Sequence, residues 1–110
     1  AILPGQTVLI PTGLSMEIEQ GFAGFIYARS GLATKRGLAP ANKVGVVDAD
    51  YRGEIGVILI NLSQDSFVIN DGERIAQLVI AAYEQAEFEA VESLDQTERG
   101  EGGFGHSGMQ

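Results

Sequence analysis

Residues 43–62 read KVGVVDADYRGEIGVILINL, and this stretch decides what kind of fold the chain can make. Its two ends, 43–47 and 54–62, are runs rich in the β-branched residues that suit a pleated sheet. Between them lie two aspartates and a glycine, the residues of a turn, with Asp48 and Asp50 placed to cap it. Two strands joined by a polar turn is the local reading. The segment GVILI is apolar throughout, which predicts burial on both faces.

Outward from this stretch the chain repeats the same kind of signal. TVLI (7–10), MEIE (16–19), FAGFIYA (22–28), SFVI (66–69), RIAQLVIAAY (74–83) and EFEAVE (87–92) each read as a short strand. Pro11-Thr12-Gly13, Gln20-Gly21, Arg52-Gly53 and Asn70-Asp71-Gly72 separate them. Eight short strands with turn signals between them predict an all-β chain, an antiparallel sandwich or barrel. SGLATKRG (30–37) predicts one helical turn with Ser30 as its N-cap. From Leu94 onward the periodicity stops, so residues 1–94 are expected to form the β domain and 95–110 a flexible C-terminal arm.

The totals exclude several classes of function. A chain of 110 residues, 45% hydrophobic, can bury a single core. Without cysteine, and with one histidine, it can build neither a disulfide nor a multi-histidine zinc site. Its net charge of −8 argues against nucleic acid as a general partner. No apolar run approaches a membrane span and no signal-peptide layout opens the chain, so no membrane partner and a cytoplasmic location are expected. Most of the basic residues Arg29, Lys35, Arg36, Lys43, Arg52, Arg74 and Arg99 flank a glycine-containing turn, which predicts small anionic sites on an acidic body.

Three stretches carry the parts of such a site. YARSGLA (27–33) places Arg29 and Ser30 ahead of Gly31, and arginine, a hydroxyl and free N–H groups are what a phosphate cradle needs. In DADYRG (48–53) a calcium loop is ruled out, because Arg52 and Leu59 stand where oxygen ligands belong. Asp48 is then either a turn cap or a general base at the end of an apolar strand. In GERIAQL (72–78), Gln77 is polar on an otherwise apolar face and calls for a buried partner or a ligand. The tail RGEGGFGHSG (99–108) contains Gly-x-Gly-x-x-Gly, but no helix can follow it, so a dinucleotide turn is excluded. Its glycines allow close approach to an anion, and Phe104 has nothing local to pack on.

Taken together and in this order, RSGLA, N…GVVDADYRGEI, GERIAQL and RGEGGFGHSG closely resemble motifs two to five of the trimeric dUTPases, over about residues 4–108. The resemblance implies a jelly-roll-like β-barrel or sandwich that hydrolyses dUTP to dUMP and pyrophosphate with Mg²⁺. It also implies a homotrimer with active sites at subunit interfaces, and an arm that closes over a neighbour's site. On that resemblance Arg29, Ser30, Gly31 and Gln77 contact phosphates, and Asn42, Val46 and Val47 form the uracil hairpin. Asp48 activates the water and Tyr51 packs beneath the deoxyribose, while Arg74 supports the site. Arg99 reaches the terminal phosphate, Phe104 stacks on uracil, and Gly105, His106 and Ser107 line the phosphates.

The family's first motif, an Ala-Gly-x-Asp-Leu stretch whose aspartate holds Mg²⁺ through water, has no counterpart here, so no metal ligand is assigned. The natural protein is expected to carry it on a preceding strand. Two rival readings remain at this point. One is a dCTP deaminase of the same superfold, with or without dUTPase activity; the other is a non-catalytic jelly-roll binding module.

Overall fold

The apolar run ahead of Leu62 becomes the central strand of a sheet. In the computed structural model, which describes residues 1–103, the elements in order are β1 (Thr7–Pro11), β2 (Phe22–Tyr27), the helix α1 (Ser30–Arg36), β3 (Leu38–Pro40), β4 (Gly45–Val47), β5 (Gly56–Asn61) and β6 (Gln77–Ala82). They form two three-stranded sheets, β1-β5-β3 and β4-β2-β6. Every pairing is antiparallel, with Val8 opposite Leu59 and Leu38 opposite Asn61 in the first sheet. In the second, Gly24 lies opposite both Val47 and Ile80, and Tyr27 lies opposite Gln77. The chain is therefore all-β in the sense expected, with one short helix.

The core draws on both sheets. Val57 and Leu59 of β5 and Leu38 of β3 meet Ile26 of β2 and Val47 of β4, joined by Ile2, Ile18, Leu32 and Ile55. Burial of β5 on both faces is not what forms. Val57 and Leu59 are 5% and 0% exposed, whereas Ile58 between them is 37% exposed. Alternation turns Ile58 to the outer side of the sheet, where no layer of the described chain covers it.

Three expected strands fail for want of a partner. Residues 16–19 bury Ile18 but join no ladder, and 66–69 contribute a single bridge between Phe67 and Ile2. Residues 87–92 alternate well yet lie alone, with Phe88 fully exposed. Conversely β3 was not expected. Its last residue is Pro40, which cannot donate to a ladder and is tolerated because β3 is an edge strand.

The helix begins one residue earlier than the expected cap implies. Arg29, still extended at φ −100° and ψ 128°, is the N-cap, makes no side-chain cap bond, and leaves Ser30 inside the first turn. Continuation of the β2 backbone through Arg29 takes the cap position from Ser30. The helix closes at Gly37, whose φ of 66° is left-handed and whose N–H reaches the Ala33 carbonyl. A Cβ there would also stand 3.0 Å from Ser63 Cβ.

One polar side chain is entirely inside. Asn61, 0% exposed, donates through Nδ2 to the carbonyls of Ile2 at 2.9 Å and Asp65 at 2.7 Å. Its Oδ1 accepts from the Ser63 N–H at 2.9 Å and the Ser63 hydroxyl at 2.7 Å. All of its hydrogen-bonding capacity is used. Asn61→Leu fills similar space but strands these partners, so a loss of about 3 kcal/mol in urea unfolding is expected. A loss below about 0.5 kcal/mol would show that water satisfies them equally well.

Candidate active site

The first cluster forms where β2 turns into α1. Arg29 is half-buried at this corner, and its Nη1 donates to the Arg74 carbonyl at 2.9 Å. Gln77, the first residue of β6, is opposite Tyr27 in register and donates through Nε2 to the Ala28 carbonyl at 2.9 Å. This resolves the polar residue on an apolar face: Gln77 is exposed and has a backbone partner across the sheet. Ser30 and Gly31 are exposed beside Arg29. Arg29, Ser30, Gly31, Gln77 and the Arg74 backbone thus come together, offering a guanidinium group, an amide and a hydroxyl to an anion.

The second cluster is the turn after β4. Val46 faces outward at 60% exposure, Val47 is buried, and Asp48 follows at the strand end with its side chain in solvent. Ahead of the strand, Asn42 accepts at its carbonyl from the Val44 N–H at 2.8 Å, and Lys43 takes a φ of 69°. The turn beyond is cross-braced. The Tyr51 N–H bonds the Asp48 carbonyl at 3.1 Å, and Arg52 Nη1 donates to the Ala49 carbonyl at 2.6 Å. The Tyr51 hydroxyl donates to the Glu54 carbonyl at 2.7 Å, which lays the ring over Gly53. A Cβ on Gly53 would stand 2.6 Å from that hydroxyl, so the glycine is what admits the ring.

Within one chain these clusters do not meet. Val47 is opposite Gly24 while Gln77 is opposite Tyr27, on the other flank of β2. Asp48, one residue past Val47, sits about four strand residues from the Gln77 row, or about 13 Å at 3.3 Å per residue. A groove of about 590 Å³ between the sheets is lined by Ile10, Leu14, Val57 and Ile75, and of the expected residues Arg74 and Gln77 reach it. Arg99, farther along, turns back on its own segment and donates to the carbonyls of Gly102 and Gly103. Phe104, Gly105, His106 and Ser107 lie outside the described residues.

Sequence reading missed one pairing beside the first cluster. Arg36, at the end of α1, donates through Nη1 to Glu73 Oε2 at 2.9 Å. Glu73 Oε1 accepts from both the backbone N–H and Nδ2 of Asn70 at 3.0 Å. No spacing rule links positions 36 and 73, since the contact is made by tertiary folding alone. The Asn70 backbone N–H, helped by Arg36, holds the Glu73 carboxyl below its ordinary 4.5. A lowered folded value means the contribution is present above 4.5 and lost as pH falls through 4.5 toward the folded value. The difference in melting temperature between the wild type and Glu73→Gln is therefore expected to be constant near neutrality and to shrink below pH 4.5. A difference that grows in acid contradicts this assignment.

Among the described residues no group of three or more histidine, aspartate or glutamate side chains is placed to hold a metal ion.

The chain is similar to known proteins over nearly its whole length. The dUTPase family profile matches residues 1–108. The chain is 56% identical over 109 residues to the deoxyuridine 5'-triphosphate nucleotidohydrolase of Chlamydia trachomatis, covering 98% of this chain and 75% of the relative. It is 50% identical over 108 residues to the protein of the same name from Syntrophotalea carbinolica, covering 98% and 74%. Among solved structures it is similar to the Staphylococcus bacteriophage 80alpha dUTPase bound to dUPNHPP, at a TM-score of 0.82 and 29% identity, covering 97% of this chain and 79% of that one.

Proposed function

The chain belongs to the dUTPase family, and from that membership we infer that it hydrolyses dUTP to dUMP and pyrophosphate. A water oxygen bonds to the α-phosphorus, the bond from that phosphorus to the bridging oxygen breaks, and pyrophosphate leaves. Asp48 takes the water's proton, in keeping with a carboxylate held at a strand end by a braced turn. Arg29, Ser30, Gly31 and Gln77 gather phosphate oxygens with Arg74 as a supporting residue, and Asn42, Val46 and Val47 edge the uracil. Residues from 95 onward act as an arm, in which Arg99, Phe104, Gly105, His106 and Ser107 complete the enclosure. On the family resemblance Mg²⁺ would be held mainly by the substrate's phosphate oxygens and water, and would supply charge stabilisation at the phosphates.

The observation that carries this reading is the separation of the two clusters. A phosphate-binding group and a base on opposite flanks of β2 are the arrangement expected of a site to which different subunits contribute. A homotrimer with shared sites is supported further by the apolar row Phe25, Val46 and Val79 on one face of the second sheet, where Val46 and Val79 are 60% and 43% exposed. Chromatographic detection of dUMP from dUTP, with dCTP as a parallel substrate, tests the activity. Formation of dUMP from dCTP would favour the deaminase reading instead.

Tyr51 sets the sugar preference by filling the space a 2′-hydroxyl needs, its ring fixed by the bond to Glu54. Tyr51→Ala should raise kcat/KM for UTP relative to dUTP by about tenfold or more. An unchanged ratio would place the discrimination elsewhere.

A further inference from the structure

The segments 28–36 and 70–77 are tied at three points. Gln77 Nε2 donates to the Ala28 carbonyl and Arg29 Nη1 to the Arg74 carbonyl, each at 2.9 Å. The third tie is the Arg36–Glu73 ion pair, also at 2.9 Å. The first two are made by side chains that must turn to phosphate when substrate binds. The third is made by residues with no part in holding it. Arg36 stands at the far end of α1 from Arg29, about 10 Å along the axis at 1.5 Å per residue. Its guanidinium also lies over the Phe67 ring, 6.0 Å from the centroid, so it is held from a second side. Glu73 is fixed to its own turn through Asn70, whose carbonyl accepts the Glu73 N–H at 3.1 Å.

We infer that Arg36 and Glu73 are positioning residues for the triphosphate: their ion pair keeps the Arg29–Ser30 corner and the Arg74–Gln77 segment at a fixed spacing once Arg29 and Gln77 exchange their carbonyl partners for phosphate oxygens. This rests on the phosphate-binding role given above to Arg29 and Gln77. A partly exposed pair of this kind contributes little to global stability. Its worth lies in preorganisation, which is felt by a ligand that engages both segments at once and not by one that engages a single segment. The number of phosphates on the ligand separates these cases.

The test is calorimetric titration of the full chain with a non-hydrolysable imido analogue of dUTP and, separately, with dUMP. Glu73→Gln retains an acceptor for Asn70 while removing the charge that faces Arg36, and Arg36→Gln removes the other partner. Each is expected to weaken the triphosphate analogue about tenfold and dUMP less than twofold. The double variant should be no worse than either single one, and Arg36→Lys should recover part of the loss. Equal weakening of both ligands, weakening of neither, or variants that unfold at the assay temperature would each overturn the inference. Arg29→Ala and Gln77→Ala serve as controls. If they too fail to weaken the analogue more than dUMP, the phosphate-binding reading falls. If they succeed while Glu73→Gln does not, only the inference about the pair falls.

Discussion

Asp48→Asn is expected to bind dUTP within a few-fold of the wild type and to lower kcat by about 100-fold or more, the range for losing a general base. The substitution keeps the shape of the side chain and the turn behind it. That turn depends on the Asp48 carbonyl, which accepts the Tyr51 N–H, and on Arg52 gripping the Ala49 carbonyl. Neither bond involves the carboxylate. Among the described residues that carboxylate makes no hydrogen bond or ion pair, so removing its charge costs the fold nothing and the chemistry its proton acceptor. Turnover within a few-fold of the wild type would show that another group takes the proton.

The second large effect concerns which subunit supplies what. Chains lacking residues 97–110, and intact chains carrying Asp48→Asn, should each be nearly inactive alone. Mixed and reassembled in equal amounts, they should recover activity at about a quarter of the sites, the share in which a sound base and a sound arm meet by random assortment in a closed trimer. The ground for this expectation is the family resemblance, in which the arm closes over a neighbour's site. Phe104→Ala alone should cost about one to two decades, since a base stacked on an aromatic ring is worth about 1–3 kcal/mol. Absence of rescue in the mixture would mean that each arm serves its own chain, and the shared-site picture would be withdrawn.

The sequence made some of this legible and hid the rest for physical reasons. Local pattern sufficed for β1, β2, β5 and β6, short apolar runs bounded by turn residues for which a ladder partner exists. It overreached at 87–92, because alternation reports a two-faced segment but not whether a neighbour stands beside it. It missed β3, three residues ending in Pro40, whose pairing is imposed by β5 and not by its own preference. At the site, Arg29 and Gln77 each stand in a short motif, but the ties between their segments come from folding. The Arg36–Glu73 pair is hidden in the same way, since neither residue is unusual until folding sets α1 against the turn at 70–73.

Six strands in two sheets leave four edges, and three of them are blunt. β3 and β4 are three residues long, and β1 ends in proline. The fourth, β6, reads QLVIAA, six residues with no charge and no proline, and its Leu78, Val79 and Ile80 are each more than a third exposed. Such an edge is a template on which any extended chain can add a strand, and short uncharged segments of this composition are the ones that seed cross-β stacking. Colloidal behaviour is therefore expected to depend on this one strand: a bare β6 should raise light scattering on heating, and a charged substitution at Val79 should lower it.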